Sequence, residues 1–335
     1  MRILFIGGTG IISSACTALA VERGLDVHLL CRGKTATRPA PAGAKIWGVD
    51  INDASAVRAA LGSQRFDAVV DFIAFTPEHI ERDLELFRGR TGQYVFISSA
   101  SAYQTPPSRL PVTESTLLDN PIWRYSRNKI ACEERLVRAY RDEKYPITIV
   151  RPSHTYDKTL LPMEGGWTVV ERMRQGKPVV VHGDGTSLWT LTHHRDFAHA
   201  FLGLLGNDGA LGEAFHITSD EALSWNRIFE LVAEAAGAEA KLVHVPSDLI
   251  AAYDRDFGDS LLGDKTHSMV FDNTKVKRLV PDYVAKIPFA QGAREIIAYY
   301  DGDASRRTVD ARHDALLDTI IAAQRAAYPE VSASR

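Results

Sequence analysis

Cysteine is scarce. The three thiols, Cys16, Cys31 and Cys132, are odd in number and include no CxxC pair, which argues against a disulfide framework and a cysteine-built zinc site. They read as reduced intracellular thiols. Charge of one sign is not in excess either: 39 Lys and Arg stand against 42 Asp and Glu, a net −3. Composition therefore points to neither nucleic acid nor an anionic membrane as a partner. No apolar run approaches the roughly 18 residues that span a bilayer. The N-terminal stretch Ile3–Ile6 runs into glycines and is too short for a signal peptide's apolar region. The chain also lacks a GxSxG elbow, an HExxH run, a Walker glycine-lysine loop and any internal repeat. What remains is the profile of a soluble, cytoplasmic globular protein of 335 residues. At that length folding buries about 75% of the extended chain's surface, enough for one large α/β domain or two unequal ones.

Short apolar runs alternate with helical patterns through the first half. The runs are Ile3–Ile6, Val27–Cys31, Ile46–Val49, Ala68–Ile73, Tyr94–Ile97 and Ile147–Val150. Between them lie helix-period stretches at Ser14–Arg23, Ala54–Leu61, Pro77–Arg88 and Ile130–Tyr140. Continuously apolar strands joined by crossover helices predict a parallel sheet covered on both faces. After Arg151-Pro152 the rhythm breaks. Ser153–Gly166 reads as a long loop, followed by a helix near Trp167–Gln175 and a strand at Val179–Val181. A helix from about Asp196 to Leu205, with Asp196 as its cap, precedes a strand at Ala214–Ile217 and a helix at Trp225–Ala236. Val309, Leu316, Leu317, Ile320, Ile321 and Ala323 keep a helical rhythm near the C-terminus, a stripe that suits packing on its own domain.

The fold expected is α/β, a Rossmann-type doubly wound parallel sheet with a smaller C-terminal substrate-binding cap. Residues 1–152, which open on a glycine-rich turn (Gly7-Gly8-Thr9-Gly10) of the kind that suits a dinucleotide, form the expected dinucleotide-binding domain, its sheet completed by parts of 178–220. Residues 153–176 and 221–300 form the cap, and 301–335 a C-terminal helix.

Three motifs carry chemistry. The first is Gly7-Gly8-Thr9-Gly10-Ile11-Ile12-Ser13, between the first strand and the first helix. Glycines there let the backbone turn tightly and approach a pyrophosphate held at the helix N-terminus. Gly7 and Gly10 hold the spacing, Ile11 and Ile12 open the helix, and Ser13 stands where a third glycine is usual. The second is the end of the next strand, Leu30-Cys31-Arg32-Gly33-Lys34, which lacks the acid that binds the ribose 2′-hydroxyl of NAD. Arg32, with Lys34 beside it, suits a 2′-phosphate, so NADP is the expected cofactor and NAD the alternative. The third is Tyr125 with Lys129, a phenol and an ammonium on one helix face. A cation beside a phenol lowers its pKa and makes it a usable acid and base. Tyr140 and Lys144 repeat the spacing by chance at the far end of the helix. Position favours Tyr125, because Ser99 ends the fifth strand 26 residues earlier and ligands gather outside strand C-termini.

With these motifs in this order, residues 1–300 resemble the extended short-chain dehydrogenase/reductase superfamily, the branch of NAD(P)-dependent sugar epimerases and dehydratases. Asp50-Ile51, Arg151-Pro152, Gly183-Asp184-Gly185, Asp196 and Pro288-Phe289 also fit. The resemblance implies that Asp50 and Ile51 contact the adenine and that Tyr125 exchanges a proton with the reacting hydroxyl. It implies further that Lys129 binds the nicotinamide ribose and lowers the tyrosine pKa, and that Ser99 holds the substrate oxygen. It also implies a homodimer formed through Pro77–Arg88 and Trp123–Tyr140.

The departures narrow the chemistry. Ala100 and Ser101 occupy the positions of the Asp-Glu pair that eliminates water in the family's 4,6-dehydratases, so that reaction is not expected. Thr186-Ser187-Leu188-Trp189 replaces a stretch that often carries a diphosphate-binding arginine. His154 stands where an asparagine is usual. His154 and Trp189 are the candidate contacts to a sugar-like substrate, with a nucleotide-linked one still open. His193-His194-Arg195-Asp196 with His199 looks metal-like by count, yet adjacent histidines on a helix point apart, so no metal is expected. The basic cluster Lys275, Lys277 and Arg278 reads as a solvated helix face. The expected activity is hydride transfer at a secondary alcohol or ketone. The alternatives are a cofactor-retaining sugar epimerase and a non-catalytic regulator or RNA-binding protein.

Overall fold

The computed structural model describes residues 1–33 and 37–328. The chain forms two compact units: residues 1–157, 190–221 and 271–287 make the first, and 158–189, 222–270 and 288–335 the second. The stretch 271–287, assigned above to the cap, thus belongs to the first unit.

The first unit is built on a parallel seven-stranded sheet. Its first six strands in sequence are β1 (Arg2–Ile6), β2 (Asp26–Leu30), β3 (Lys45–Trp47), β4 (Phe66–Asp71), β5 (Thr91–Ile97) and β6 (Ile147–Pro152). They lie in the order β6-β5-β4-β1-β2-β3, and Ala214–Ile217 pairs with the outer side of β6. The crossover helices are α1 (Ile11–Glu22), α2 (Ala54–Leu61), α3 (Pro77–Phe87) and α4 (Arg124–Glu143). In β1, Ile3, Leu4, Phe5 and Ile6 are all fully buried, as a strand covered on both faces must be. Ile3 and Phe5 join a core with Cys16 and Ala20 of α1 and with Phe197 and Phe201 of the helix His194–Leu204. Leu4 and Ile6 face the opposite core, with Val57, Leu61, Leu84 and Leu136 from α2, α3 and α4. Complete burial of one such side chain stabilises by about 1.5–3 kcal/mol. The chain winds from β1 outward in one direction and from β4 in the other. Adjacent β1 and β4 therefore flank the topological switch point, where the strand C-termini open a crevice for ligand.

The second unit pairs Val179–His182 with Leu242–Val245 in parallel. Val179–Val181 is thus a strand, as expected, but not part of the large sheet. The helix Ala311–Ala326 buries Leu317, Ile320 and Ile321 in this unit, while Val309 lies outside the helix and is exposed. Arg172 is almost fully buried and donates to Asp314 (2.5 Å) and Asp318 (2.6 Å) on that helix, fixing it to its own unit.

Two local expectations are corrected. The segment after Pro152 is not all loop: His154–Tyr156 forms a short strand paired with Leu191–His193. Its sequence, His-Thr-Tyr, has no apolar run to announce it. The helix expected to start at Asp196 starts at His194, and its cap is His193, whose Nδ1 accepts from the Arg195 N–H. The Asp196 carboxylate instead accepts from the Ile287 N–H at 2.9 Å.

Candidate active site

The turn after β1 carries two of its three glycines in conformations that only glycine adopts easily. Gly7 has φ +106° and Gly8 φ +76°, and a Cβ on Gly8 would lie 2.7 Å from the Leu29 side chain. Gly10 has an ordinary φ of −81°. Ser13, in place of a third glycine, has a use: its Oγ accepts from the Gly10 N–H at 2.7 Å. The Thr17 hydroxyl lies 2.8 Å from both the Gly8 and the Ser13 carbonyls, so its one hydrogen is shared between the turn and α1.

This turn forms one wall of a cleft of about 430 Å³, lined by Gly7, Gly10, Ile11 and Ile12 of the turn and by Arg32, Asp50 and Ile51 after β2 and β3. Among the described residues, the cofactor candidates of the glycine turn and of the β2 and β3 ends thus meet in one cleft. Its volume lies in the range of small-molecule and cofactor sites. The bare backbone at Gly7 and Gly10 in the cleft wall, and the helix N-terminus beside them, fit a dinucleotide pyrophosphate. Lys34 lies outside the described residues. Sequence reading missed Arg38, which also lines the cleft and is bound by Asp157, with Nε 2.6 Å from Oδ2. That pair closes over 119 positions of sequence, which no local motif reveals.

Tyr125 and Lys129 lie one turn apart at the start of α4. Lys129 is about 1% exposed. Its ammonium donates to the carbonyls of Ala74 (2.7 Å) and Ile97 (2.8 Å), at the C-terminal ends of β4 and β5. It also lies over the rings of Phe75 (4.6 Å), Phe96 (4.9 Å) and Tyr125 (5.8 Å). Burial pulls its pKa down to about 8, so the amine is still mainly protonated at pH 7. Two of its three N–H donors go to these carbonyls. Asp71 shapes the turn that presents Ala74, its carboxylate accepting from the Ile73 (2.5 Å) and Ala74 (2.8 Å) N–H groups. Tyr140, by contrast, sits at the other end of α4 against Gly212.

Ser99 lies at the end of β5 and caps a single 3₁₀ turn, accepting from the Ser101 N–H. A line of hydroxyls leads to it. Ser126 of α4 donates to Ser101 Oγ at 2.7 Å, and Ser101 Oγ lies 2.9 Å from Ser99 Oγ. If Ser101 passes its hydrogen to Ser99, the Ser99 hydrogen is left to point outward. This line was missed because each serine is unremarkable in sequence.

Behind the site lies a fully buried polar network. Glu133 of α4 accepts from Ser98 Oγ at 2.5 Å and from Arg151 at 2.6–3.2 Å. Tyr103 lies beside the Arg151 guanidinium (4.8 Å) and bonds to His216 Nδ1 at 3.0 Å. His216 Nε2 lies 2.8 Å from the Asp272 carbonyl, which can only accept. The proton is therefore on Nε2 and Nδ1 accepts from Tyr103. Burial, which pushes the His216 pKa down, agrees with this neutral tautomer.

His154 begins the short strand in the first unit. Trp189 is buried in the second unit, its ring 5.7 Å from that of Trp225. The basic cluster is largely neutralised, Lys275 by Glu213 (2.6 Å) and Lys277 by Asp220 (2.8 Å). Among the described residues, no helix is long and apolar enough to cross a membrane, and no group of three His, Cys, Asp or Glu side chains could hold a metal ion.

Residues 3–218 match the NAD dependent epimerase/dehydratase family. A 2′-dehydrokanamycin reductase of Streptomyces kanamyceticus is 28% identical over 292 residues, 84% of this chain and 80% of that one. A chloroplast stem-loop binding protein of 41 kDa from Arabidopsis thaliana is 28% identical over 72% of this chain and 65% of its own. The structure of an epimerase from Methanothermobacter thermautotrophicus superposes with a TM-score of 0.75 at 18% identity, covering 91% of this chain and 94% of that one.

Proposed function

Because the chain belongs to the NAD dependent epimerase/dehydratase family, we propose that it is an NADP(H)-linked reductase of a ketone on a sugar-like ring. The observation that carries this reading is the pair Tyr125 and Lys129, with the Lys129 ammonium held by the Ala74 and Ile97 carbonyls at the strand ends where this fold binds ligand. A nicotinamide bound in the glycine-turn cleft would supply hydride to the carbonyl carbon. Tyr125 gives its proton to the carbonyl oxygen as the alcohol forms, and Ser99 donates a hydrogen bond to that oxygen. The neighbouring Lys129 charge favours the phenolate left behind, and its third N–H is available to a ribose hydroxyl. Solvent then returns the proton to Tyr125.

Arg32 and Arg38 in the cleft, and the missing acid after β2, support NADP over NAD. The reductase relative, which aligns over most of this chain, supports net reduction of a sugar ketone that carries no nucleotide. His154 and Trp189 are the proposed substrate contacts. A homodimer through α3 and α4 in the cytoplasm remains part of the proposal. The test is to denature freshly purified protein and identify released nucleotide by mass, then titrate the empty protein with NADPH and NADH. Empty protein that prefers NADPH supports the reductase. Near-stoichiometric retained dinucleotide would instead support an epimerase that recycles its own hydride. The stem-loop binding relative keeps RNA binding as a second reading, which predicts salt-sensitive binding of an RNA hairpin.

A further inference from the structure

We infer that Glu133 is a positioning residue for the proposed Tyr125, Lys129 and Ser99 site, its carboxylate locking α4 to the end of β5 through Ser98 and to β6 through Arg151. The inference rests on the functional reading above, but its geometry does not. Tyr125, Lys129 and Glu133 are spaced by four residues, so they lie on one face of α4. Glu133 is about 2% exposed, Ser98 about 2% and Arg151 about 5%. The Glu133 carboxylate therefore joins three elements in a place water does not reach. The peptide after Ser98 leads to Ser99, and the peptide before it carries the Ile97 carbonyl that holds Lys129. A shift of Ser98 is thus passed to the substrate-facing hydroxyl on one side and to the lysine's acceptor on the other. The hydroxyl line from Ser126 to Ser99 is a second tie between α4 and this turn, so the helix and the strand end are held at two points.

Stability alone gives a weak reason for a charge here, since well-packed apolar side chains often replace a buried ion pair at little or no loss. A bidentate pair instead provides direction: the guanidinium fixes the carboxylate plane, and Arg151 is fixed in turn by the Tyr103 ring and by the Glu114 carbonyl (3.5 Å). The Glu133 charge also bears on Lys129. The groups facing that amine are Tyr125, Cys132 and Glu133 on α4, Asp71 at the end of β4, and His79 on α3. Burial opposes the protonated amine, and Cys132, Asp71 and Glu133 favour it.

The test needs no substrate. Full-length protein with ¹³C-labelled lysine is titrated by NMR, and the Lys129 signal is assigned as the one missing in Lys129→Met. Wild type should titrate near 8. Glu133→Gln keeps the shape and an acceptor for Ser98 but not the charge, and should move the midpoint down by about half a unit or more. Ser98→Ala leaves the ion pair intact but frees the strand end, and should also move the midpoint while circular dichroism stays native. A midpoint unmoved in both variants overturns the inference, and one moved only in Glu133→Gln overturns the lock through β5. If Glu133→Gln does not fold, Ser98→Ala decides alone. A Tyr125→Phe variant with full activity would overturn the functional reading and leave this titration unaffected, so the two failures can be told apart.

Discussion

The Lys129 ammonium donates to the Ala74 carbonyl at 2.7 Å, a bond that ties α4 to the turn after β4 and keeps a positive charge almost out of water. Its folded pKa of about 8 lies below the ordinary lysine value of 10.5. Between those values the unfolded chain binds more protons than the folded one, so this group's contribution to stability rises with pH across that window. The full difference amounts to about 3 kcal/mol. Urea unfolding of wild type and Lys129→Met at pH 7.5 and pH 10 should show wild type gaining on the variant as pH rises. A constant difference would mean that Lys129 is not desolvated.

Gly8→Ala should disable the nucleotide turn. The positive φ and the 2.7 Å approach to Leu29 together should cost about 1–3 kcal/mol and weaken NADPH binding by tenfold or more, by thermal melt and fluorescence titration. Gly10→Ala should be milder, since its φ is ordinary and its Cβ would meet only Ser13 Oγ, at 3.2 Å.

Arg32→Asp should shift preference toward NADH by removing attraction for a 2′-phosphate and supplying an acceptor for the ribose hydroxyl. The expected loss for NADPH is about tenfold, or 1.4 kcal/mol. Asp157→Asn should loosen Arg38 and change NADPH affinity more than NADH affinity. Calorimetric titration with both cofactors checks the pair, and an unmoved ratio in both variants would place the 2′ position elsewhere.

Ser101→Ala breaks the hydroxyl line between Ser126 and Ser99 without touching Lys129. Turnover should fall by about tenfold, the effect of losing one hydrogen bond of about 1.4 kcal/mol, while NADPH affinity stays near wild type. Equal losses in both would show a general distortion of the turn.

The parts of this protein legible in sequence are those encoded locally. Five buried strands and the exposed edge strand β3 announced themselves as apolar runs, and the glycine turn, Asp50-Ile51 and the Arg32 end of β2 do line one cleft. The spacing of Tyr125 and Lys129 was visible too, and the true start of α4 at Arg124 puts Tyr125 in its first turn. What escaped was long-range. Arg38 with Asp157, Glu133 with Ser98 and Arg151, and Tyr103 with His216 join residues 18 to 119 positions apart, with no periodicity to mark them. The cap of the helix at His194 escaped for another reason: Asp196 is the better capping residue by type, but its carboxylate is engaged by Ile287.

The most direct test of the central claim compares wild type with Tyr125→Phe by two measurements on the same preparations. One is NADPH affinity, and the other is NADPH oxidation at 340 nm with a panel of keto-sugars, both nucleotide-free and nucleotide-linked. The account predicts that the variant binds NADPH as wild type does and loses turnover by about 10²–10⁴-fold, the usual contribution of a general acid. A variant that still oxidises NADPH at the wild-type rate would contradict it.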